Sequence, residues 1–282
     1  MAEFLQIYPQ TGFDAGGYQP WQMVPNGSSR YVILRDGAGL NVTAGPPTVR
    51  LTEINESLLP RASGPIPFAV LRQKGDRFFE ILGTAAGSTE VVAEPSGRNA
   101  GARLSVKVMK LIIVGVRLYL VSDLQHRTNR TLVEVKKALD TVNDFIIYPQ
   151  TNLKFELLEL RGLQVNRLLK DELEVKGDEQ TPDDEIRTLI YPLGSQDEGK
   201  NVFFVWKFQY DNVLGITHNR RNISIKDFPQ PLDQLLAHEL GHTLLGSAHS
   251  DDPQNLMYPA SSRNALNLTS GQIITINSSA YE

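Results

Sequence analysis

The sequence predicts an α+β protein in two parts, an all-β domain over residues 1–109 and a mixed domain over 110–282 built around a histidine-bearing helix. Three observations carry the prediction. Short alternating or apolar runs, separated by turn-forming pieces, recur through the first hundred or so residues with no helical period among them. From about residue 110 a strand, a long amphipathic pattern and a second strand succeed one another, as in a β-α-β crossover. Residues 231–259, PLDQLLAHELGHTLLGSAHSDDPQNLMYP, then hold three of the chain's five histidines.

In the first part the expected strands are Tyr31–Leu34, Thr48–Leu51, Phe68–Leu71, Phe78–Leu82, Glu90–Ala93 and Leu104–Val108, with DGAG, AGPP, KGD and PSGRNAG as turns. Strands at this spacing over about 100 residues predict a β-sandwich. The stretch GDRFFEILGTAAGSTEVVAEPSGRNAGARLSVKV resembles the later strands of bacterial immunoglobulin-like modules. That implies an immunoglobulin-like sandwich acting as an accessory binding or spacer module. The other reading is a pro-domain that covers a cleft, with an aspartate such as Asp14 or Asp36 as a metal ligand.

In the second part, VGVRLYLV (114–121) predicts a strand. Thr131 and Glu134 make a capping box, after which Leu132, Val135, Leu139, Val142 and Ile146 recur at spacings of three and four. A long helix is expected, ended by Pro149, with Leu153–Leu160 returning as a strand. Residues 163–200 are polar, acidic around 171–174 and 178–185, and predict short helices with solvated faces. Asn201–Phe208 reads as a buried strand, and LGITHNRRNISIKDF as two short strands joined by a basic turn. His218 and His126 are expected on surface loops. Thr269 and Gln272 form a second capping box, opening a C-terminal helix with Ile273, Ile274 and Ile276.

The central helix has its own signals. Pro231 suits a first-turn position, Leu232, Leu236, Leu240 and Leu244 recur every fourth residue, and Gly246 supplies a left-handed stop. At about 100° per residue, His242 returns to the face of His238 one turn on. Two imidazole nitrogens on one face can meet one metal ion at about 2.0–2.1 Å. Glu239 lies beside the pair, where a carboxylate can take a proton from a metal-activated water. Two histidines leave a third ligand to find. After Glu239 the only glutamate is Glu282; Asp251 and Asp252 are possible, and His249, after the chain-reversing Gly246, is the better candidate. A buried amphipathic helix with incidental histidines loses to the improbability of the whole pattern by chance.

HELGHTLLGSAH followed by LMYP resembles the metzincin zinc peptidases, and within them the matrixins, whose pattern is His-Glu-x-x-His-x-x-Gly-x-x-His and then a methionine turn. His238, Glu239 and His242 match position for position; Gly246, His249, Met257, Tyr258 and Pro259 match in type. Thr243, Leu244 and Leu245 stand where the family has two residues. One added helical residue rotates the downstream chain by about 100°, to be absorbed by a bulge in the helix or a changed turn at Gly246. The resemblance implies a zincin/metzincin catalytic domain with a mixed β-sheet, a long helix, an active-site helix and a methionine turn. It implies a zinc endopeptidase with one Zn2+ on His238, His242 and His249, and Glu239 as general base. Met257 would floor the site without touching the metal. Pro259 would wall the pocket for the side chain after the scissile bond, where Ala260-Ser261 lacks the tyrosine often found. Leu214, Gly215, Ile216 and Thr217 would form the edge strand that pairs with extended substrate. Ca2+ is common in the family, at no position the sequence singles out. A secreted, extracellular enzyme is implied, while MAEFLQIYPQ shows no secretory signal.

Composition bounds the rest. The 282 residues are 41% apolar and 21% charged, ordinary for a globular protein, with a net charge of −4. The basic pieces HRTNR and HNRR are too short to outline a nucleic-acid surface. No apolar run reaches the roughly 18 residues needed to cross a bilayer. Cysteine is absent, which excludes disulfides, thiolate ligands and a cysteine latency switch. The expected partner is a protein or peptide substrate, with no nucleic acid and no membrane insertion; oligomeric state is left open. The competing class is a binding or adhesion protein whose β domain carries the function above an idle zinc domain. Glu239 weighs against it, because a structural zinc has no need of a base.

Overall fold

The computed structural model describes residues 2–6, 12–15, 19–45, 48–55, 75–95, 101–176, 181–182, 185–229, 231–259 and 266–279. The chain divides into two compact units. One comprises Met1–Leu111, Pro149–Asn152 and Leu268–Ile274; the other comprises Ile112–Tyr148, Leu153–Asn267 and Thr275–Glu282.

Alternation of apolar and polar residues builds the strands of the first unit. They are β1 (Glu3–Gln6), β2 (Phe13–Asp14), β3 (Trp21–Pro25), β4 (Ser29–Arg35), β5 (Leu40–Ala44), β6 (Val49–Ile54), β7 (Arg77–Gly83), β8 (Gly87–Pro95) and β9 (Ala102–Met109). In β9, Ala102, Leu104, Val106 and Val108 are buried while Arg103 is exposed. One sheet runs β1-β4-β7-β6, antiparallel throughout. The other runs β2-β3-β9-β8-β5 and is antiparallel except for the β3–β9 pair. Phe4, Val32, Leu34, Phe79 and Ile81 from the first share a core with Val24, Val91, Leu104, Val106 and Val108 from the second.

The expected strand at Phe68–Leu71 lies outside the described residues. Strands β1, β2, β3 and β5 go beyond the sequence expectation. The strand β3 hides itself by carrying Gln22, which is fully buried with its amide donating to the Met23 carbonyl at 2.7 Å. Asp14, weighed above as a metal ligand, accepts the backbone N–H of Ser270 at 2.8 Å.

The later elements are β10 (Ile112–Ser122), α1 (Leu132–Thr141), the single turn α2 (Tyr148–Thr151), β11 (Leu153–Gln164), β12 (Val175–Lys176), β13 (Thr181–Pro182), β14 (Lys200–Val205), β15 (Gly215–His218), β16 (Asn222–Lys226), α3 (Leu232–Leu245) and α4 (Ser270–Ser279). The sheet order is β11-β10-β14-β16-β15, parallel but for β15, which runs antiparallel to β16 at one edge. Strand β10, helix α1 and strand β11 form the expected crossover. Both halves of the Thr131–Glu134 capping box are made, at 3.2 and 3.4 Å, and so are both halves of the Thr269–Gln272 box, at 2.9 and 3.2 Å.

Two expectations are corrected. The helix from Leu132 does not stay α-helical as far as Pro149: Val142–Ile146 widens into a π turn, and Pro149 sits inside α2. Val135, Leu139, Val142 and Ile146 are buried all the same, so their spacing did not register the widening. The π turn carries Asn143 inward, where its amide donates to the Phe155 carbonyl and accepts the Phe155 N–H, both at 2.8 Å. The N–H and C=O of Phe155, on the edge strand β11, are thereby satisfied. Pro149 is tolerated because a first-turn residue needs no N–H partner. The second correction concerns residues 163–200, which are not a row of solvated helices. A short β12–β13 pair is followed by a π turn at Ile186–Ile190 and a 3₁₀ turn at Tyr191–Leu193. Ile186, Ile190 and Tyr191 pack in a core with Tyr119, Phe203, Phe208 and Ile216. Of the acidic cluster, residues 177–180 and 183–184 lie outside the described residues.

The helices α1 and α3 pack on each other, α1 against β11 and α3 against β15 and β16. The β15–β16 hairpin turns through Asn219 and Arg220 at φ 54° and 52°, the signs of a type I′ turn, with the Arg221 N–H donating to the His218 carbonyl at 3.1 Å. His218 thus closes a strand rather than lying on a loop. Among the described residues no helix is long and apolar enough to cross a membrane.

Candidate metal centre

Helix α3 is buried on every side. Leu232, Leu236, Leu240 and Leu244 are at most 6% exposed, and His238, Glu239 and His242 only 4%, 4% and 5%. Pro231 occupies the N-cap position, one residue before the first turn. The helix remains α-helical to Leu245, so the residue added relative to the metzincin pattern produces no bulge. The reversal falls to Gly246 at φ 84°, whose N–H donates to the His242 carbonyl at 3.0 Å. Glycine reaches that φ without steric cost.

The two helical histidines are fixed from behind. His238 Nδ1 lies 2.9 Å from the Leu256 carbonyl oxygen, and His242 Nδ1 lies 2.8 Å from that of Gly246. A carbonyl oxygen can only accept, so each Nδ1 carries the hydrogen and each Nε2 presents a lone pair. Those two Nε2 atoms stand 3.0 Å apart. Facing lone pairs at that distance repel unless a cation or a shared proton joins them. Two imidazole nitrogens on one tetrahedral zinc stand about 3.3 Å apart, so the donor set fits such an ion.

His249 is exposed and completes the cluster. Its ring lies 5.4 Å from His238 and nearly parallel to it, and 4.9 Å from His242 and nearly perpendicular. One ring nitrogen from each of the three histidines lies within 4.8 Å of the others, so the three can hold a metal ion.

Met257 is fully buried, and its Sδ lies 2.7 Å from where a Cβ on Gly241 would stand. A glycine one residue before His242 therefore lets the turn at Met257 press against the helix. The turn is held by Met257 N–H to Asn255 Oδ1 at 2.9 Å, Ser250 N–H to the Met257 carbonyl at 3.0 Å, and Leu256 N–H to the Asn267 carbonyl at 2.8 Å. It also supplies the Leu256 carbonyl that fixes His238. Sequence reasoning missed these two carbonyl partners, because a backbone oxygen leaves no residue-type signal.

Glu239 faces β15. The Thr217 hydroxyl lies 2.7 Å from Glu239 Oε2 and 3.1 Å from its carbonyl oxygen, and a Cβ on Gly215 would come within 2.5 Å of Oε1. Burial lifts the Tyr191 phenol well above its usual range; a hydrogen bond from Ser224 at 3.2 Å opposes this, and the charge of Glu239 adds to it. Of the expected substrate strand, Gly215 and Ile216 are buried and Thr217 is half-buried. Among the described residues β15 has one ladder partner, β16, and the short β13 lies near it. Pro259 is exposed, and Ala260-Ser261 lie outside the described residues.

The other two histidines stand elsewhere. The ring of His218 stacks on Tyr191. His126 has Asp123 Oδ2 at 3.0 Å from Nδ1 and Asp171 Oδ1 at 3.0 Å from Nε2, and its ring stacks on Trp206. His126 lies on a loop, as expected, and there its two carboxylate partners and the Trp206 ring fix it. Among the described residues the three-histidine group is the only such cluster.

No protein-family model matches the chain, and no curated protein does. Among solved structures, metalloproteinase-II from Bacteroides fragilis is similar over 91% of this chain and 84% of its own, at 11% identity and a TM-score of 0.40. Domains 4 and 5 of the surface layer protein SbsC are similar over 34% of this chain, at 16% identity and a TM-score of 0.22. This chain spans 49% of that two-domain structure and 12% of the structure of SbsC domains 1–6. At such scores none of these likenesses bears on what the chain does.

Proposed function

We propose that the second unit is a zinc-dependent endopeptidase of metzincin type, hydrolysing peptide bonds with His238, His242 and His249 as metal ligands and Glu239 as general base. One observation carries the reading: the Nε2 atoms of His238 and His242 face each other at 3.0 Å with both Nδ1 hydrogens committed to carbonyls. A catalytic zinc has three protein ligands and an open fourth position, and three histidines meet that count. When bound, zinc supplies Lewis-acid polarisation of the substrate carbonyl and brings a water's pKa toward neutrality.

The chain's own groups do the rest. The carboxylate of Glu239 takes the proton of the attacking water and passes it to the leaving amine. The backbone of β15 at Gly215, Ile216 and Thr217 holds an extended peptide by main-chain hydrogen bonds. Met257 keeps an apolar floor beneath the histidines, and Pro259 borders the pocket for the residue after the scissile bond. The first unit, two β-sheets around one core, serves as an immunoglobulin-like accessory module. An extracellular setting goes with this reading.

Digestion of denatured casein, with and without a chelator, tests it. The expected result is cleavage that stops on chelation, returns with zinc and is lost in Glu239→Ala, by about 100- to 10,000-fold in rate. Cleavage that persists through both treatments rejects the mechanism.

A further inference from the structure

We propose that Thr217 is the positioning residue for the general base, with Gly215 clearing the space that the base occupies. The proposal rests on the peptidase reading and gives β15 a second task beyond docking a peptide.

Residues two apart in a strand point to the same face. Gly215 and Thr217 therefore share one side of β15, the side on which α3 packs. Opposite them stands Glu239, whose side chain could swing about three torsions if nothing held it. The Thr217 hydroxyl has one hydrogen and two acceptors in reach, Glu239 Oε2 at 2.7 Å and the Glu239 carbonyl at 3.1 Å. The carboxylate oxygen is the nearer, and in the ionised form that a general base uses it takes a charge-assisted bond, shorter and roughly twice as strong as a neutral one. Tying Oε2 fixes the plane of the carboxylate and how far it reaches beside the histidines.

Gly215 completes the seat by having no side chain. A Cβ there would lie 2.5 Å from Oε1, 2.6 Å from Cδ and 2.8 Å from Cγ of Glu239. Any other residue at 215 would drive the carboxylate out of its place. A base must sit within hydrogen-bond reach of the proton it removes, so its orientation enters the rate directly. A threonine that touched substrate instead would act on binding, and the two roles separate kinetically.

The test uses the zinc-loaded full chain and the variants Thr217→Val, Thr217→Ser and Gly215→Ala. Metal stoichiometry, peptide kinetics and crystal structures are measured for each. Thr217→Val is expected to keep its zinc and its KM while kcat falls about 10- to 100-fold, the usual cost of losing a group that orients a site residue. Thr217→Ser, which restores the hydroxyl, recovers most of that loss. In the Thr217→Val and Gly215→Ala crystals the Glu239 carboxylate turns away from its wild-type position. Added to Glu239→Ala, Thr217→Val costs nothing more, since its effect runs through that carboxylate. A Thr217→Val enzyme with raised KM and intact kcat, or one that serine does not rescue, overturns the proposal. So does a Glu239 that stays in place in the Thr217→Val crystal. Wild-type protein with no chelator-sensitive cleavage overturns the peptidase reading instead, and the crystal structures then judge the seat of Glu239 by themselves.

Discussion

His126 and His238 are each held at Nδ1 by a short contact, 3.0 Å and 2.9 Å, yet the two rings are prepared for opposite ends. The partner of His126 is the carboxylate of Asp123, and a second carboxylate, Asp171, meets its other nitrogen. The Asp123 hydrogen bond, above all, raises the affinity of His126 for its proton; burial opposes this, while both negative charges add to it. Burial likewise pushes the Asp123 carboxyl up. The ring of His126 and the N–H groups of His126, Leu169 and Gln125 outweigh that and bring it down to about 2. The partner of His238 is a neutral carbonyl oxygen, which holds the hydrogen on Nδ1 and leaves Nε2 facing His242. What stands on Nδ1 thus decides whether Nε2 keeps a proton or offers a lone pair.

The largest effect that can break this contrast is on metal content. Replacing His242 with Ala should take zinc, measured after dialysis, from about one per chain to almost none. Replacing His126 with Ala should leave it unchanged. Equal loss in both variants would mean that the two settings are not chemically distinct.

The histidine helix was legible because its chemistry lies within twelve consecutive residues and its ends carry ordinary helix signals at Pro231 and Gly246. The two capping boxes and the β15–β16 hairpin are local for the same reason. Part of what could not be read depends on residues far apart in the chain. Asp123, His126, Asp171 and Trp206 meet only once the sheet has formed. The Thr217–Glu239 hydrogen bond spans 22 residues. Helical periodicity cannot separate a π turn from an α turn that buries the same side chains, which is why Val142–Ile146 was missed. In β3 a buried Gln22 and the terminal Pro25 break the apolar pattern on which strand reading depends.

A smaller effect sharpens the contrast from the side of the turn at Met257. Gly241→Ala puts a methyl 2.7 Å from Met257 Sδ. Overpacking costs about 1–3 kcal/mol, and the better helix propensity of alanine returns about 1 kcal/mol, so the net change in stability should be small. The atoms the methyl meets are the end of a fully buried side chain, so it presses on the turn whose Leu256 carbonyl fixes His238. Zinc affinity, read by chelator competition, should therefore fall about 10-fold while the His126 network is untouched. Unchanged affinity would show that the turn does not govern the ligand.

The smallest effect belongs to His126 and is read as stability against pH. Its pKa in the folded chain is raised above 6.5, so its contribution is fully present below about pH 6.5 and fades as pH rises through the folded value. Asp123 works in the other direction. With a folded value of about 2 against 3.8, its contribution is present above pH 3.8 and is lost as pH falls toward about 2. The pair is therefore worth most between these limits, in mildly acidic solution. His126→Gln keeps a hydrogen-bond donor near Asp123 and removes the charge. Urea unfolding should show a deficit of about 1 kcal/mol at pH 5.5, since Asp171 is solvent-exposed and its share is screened. Once pH has risen past the folded value the wild-type ring is neutral and the deficit should shrink toward zero. A gap that stays constant across that range would mean that ring packing on Trp206, not the proton, is what His126 contributes. The distinction between the two histidine settings would then rest on the metal site alone.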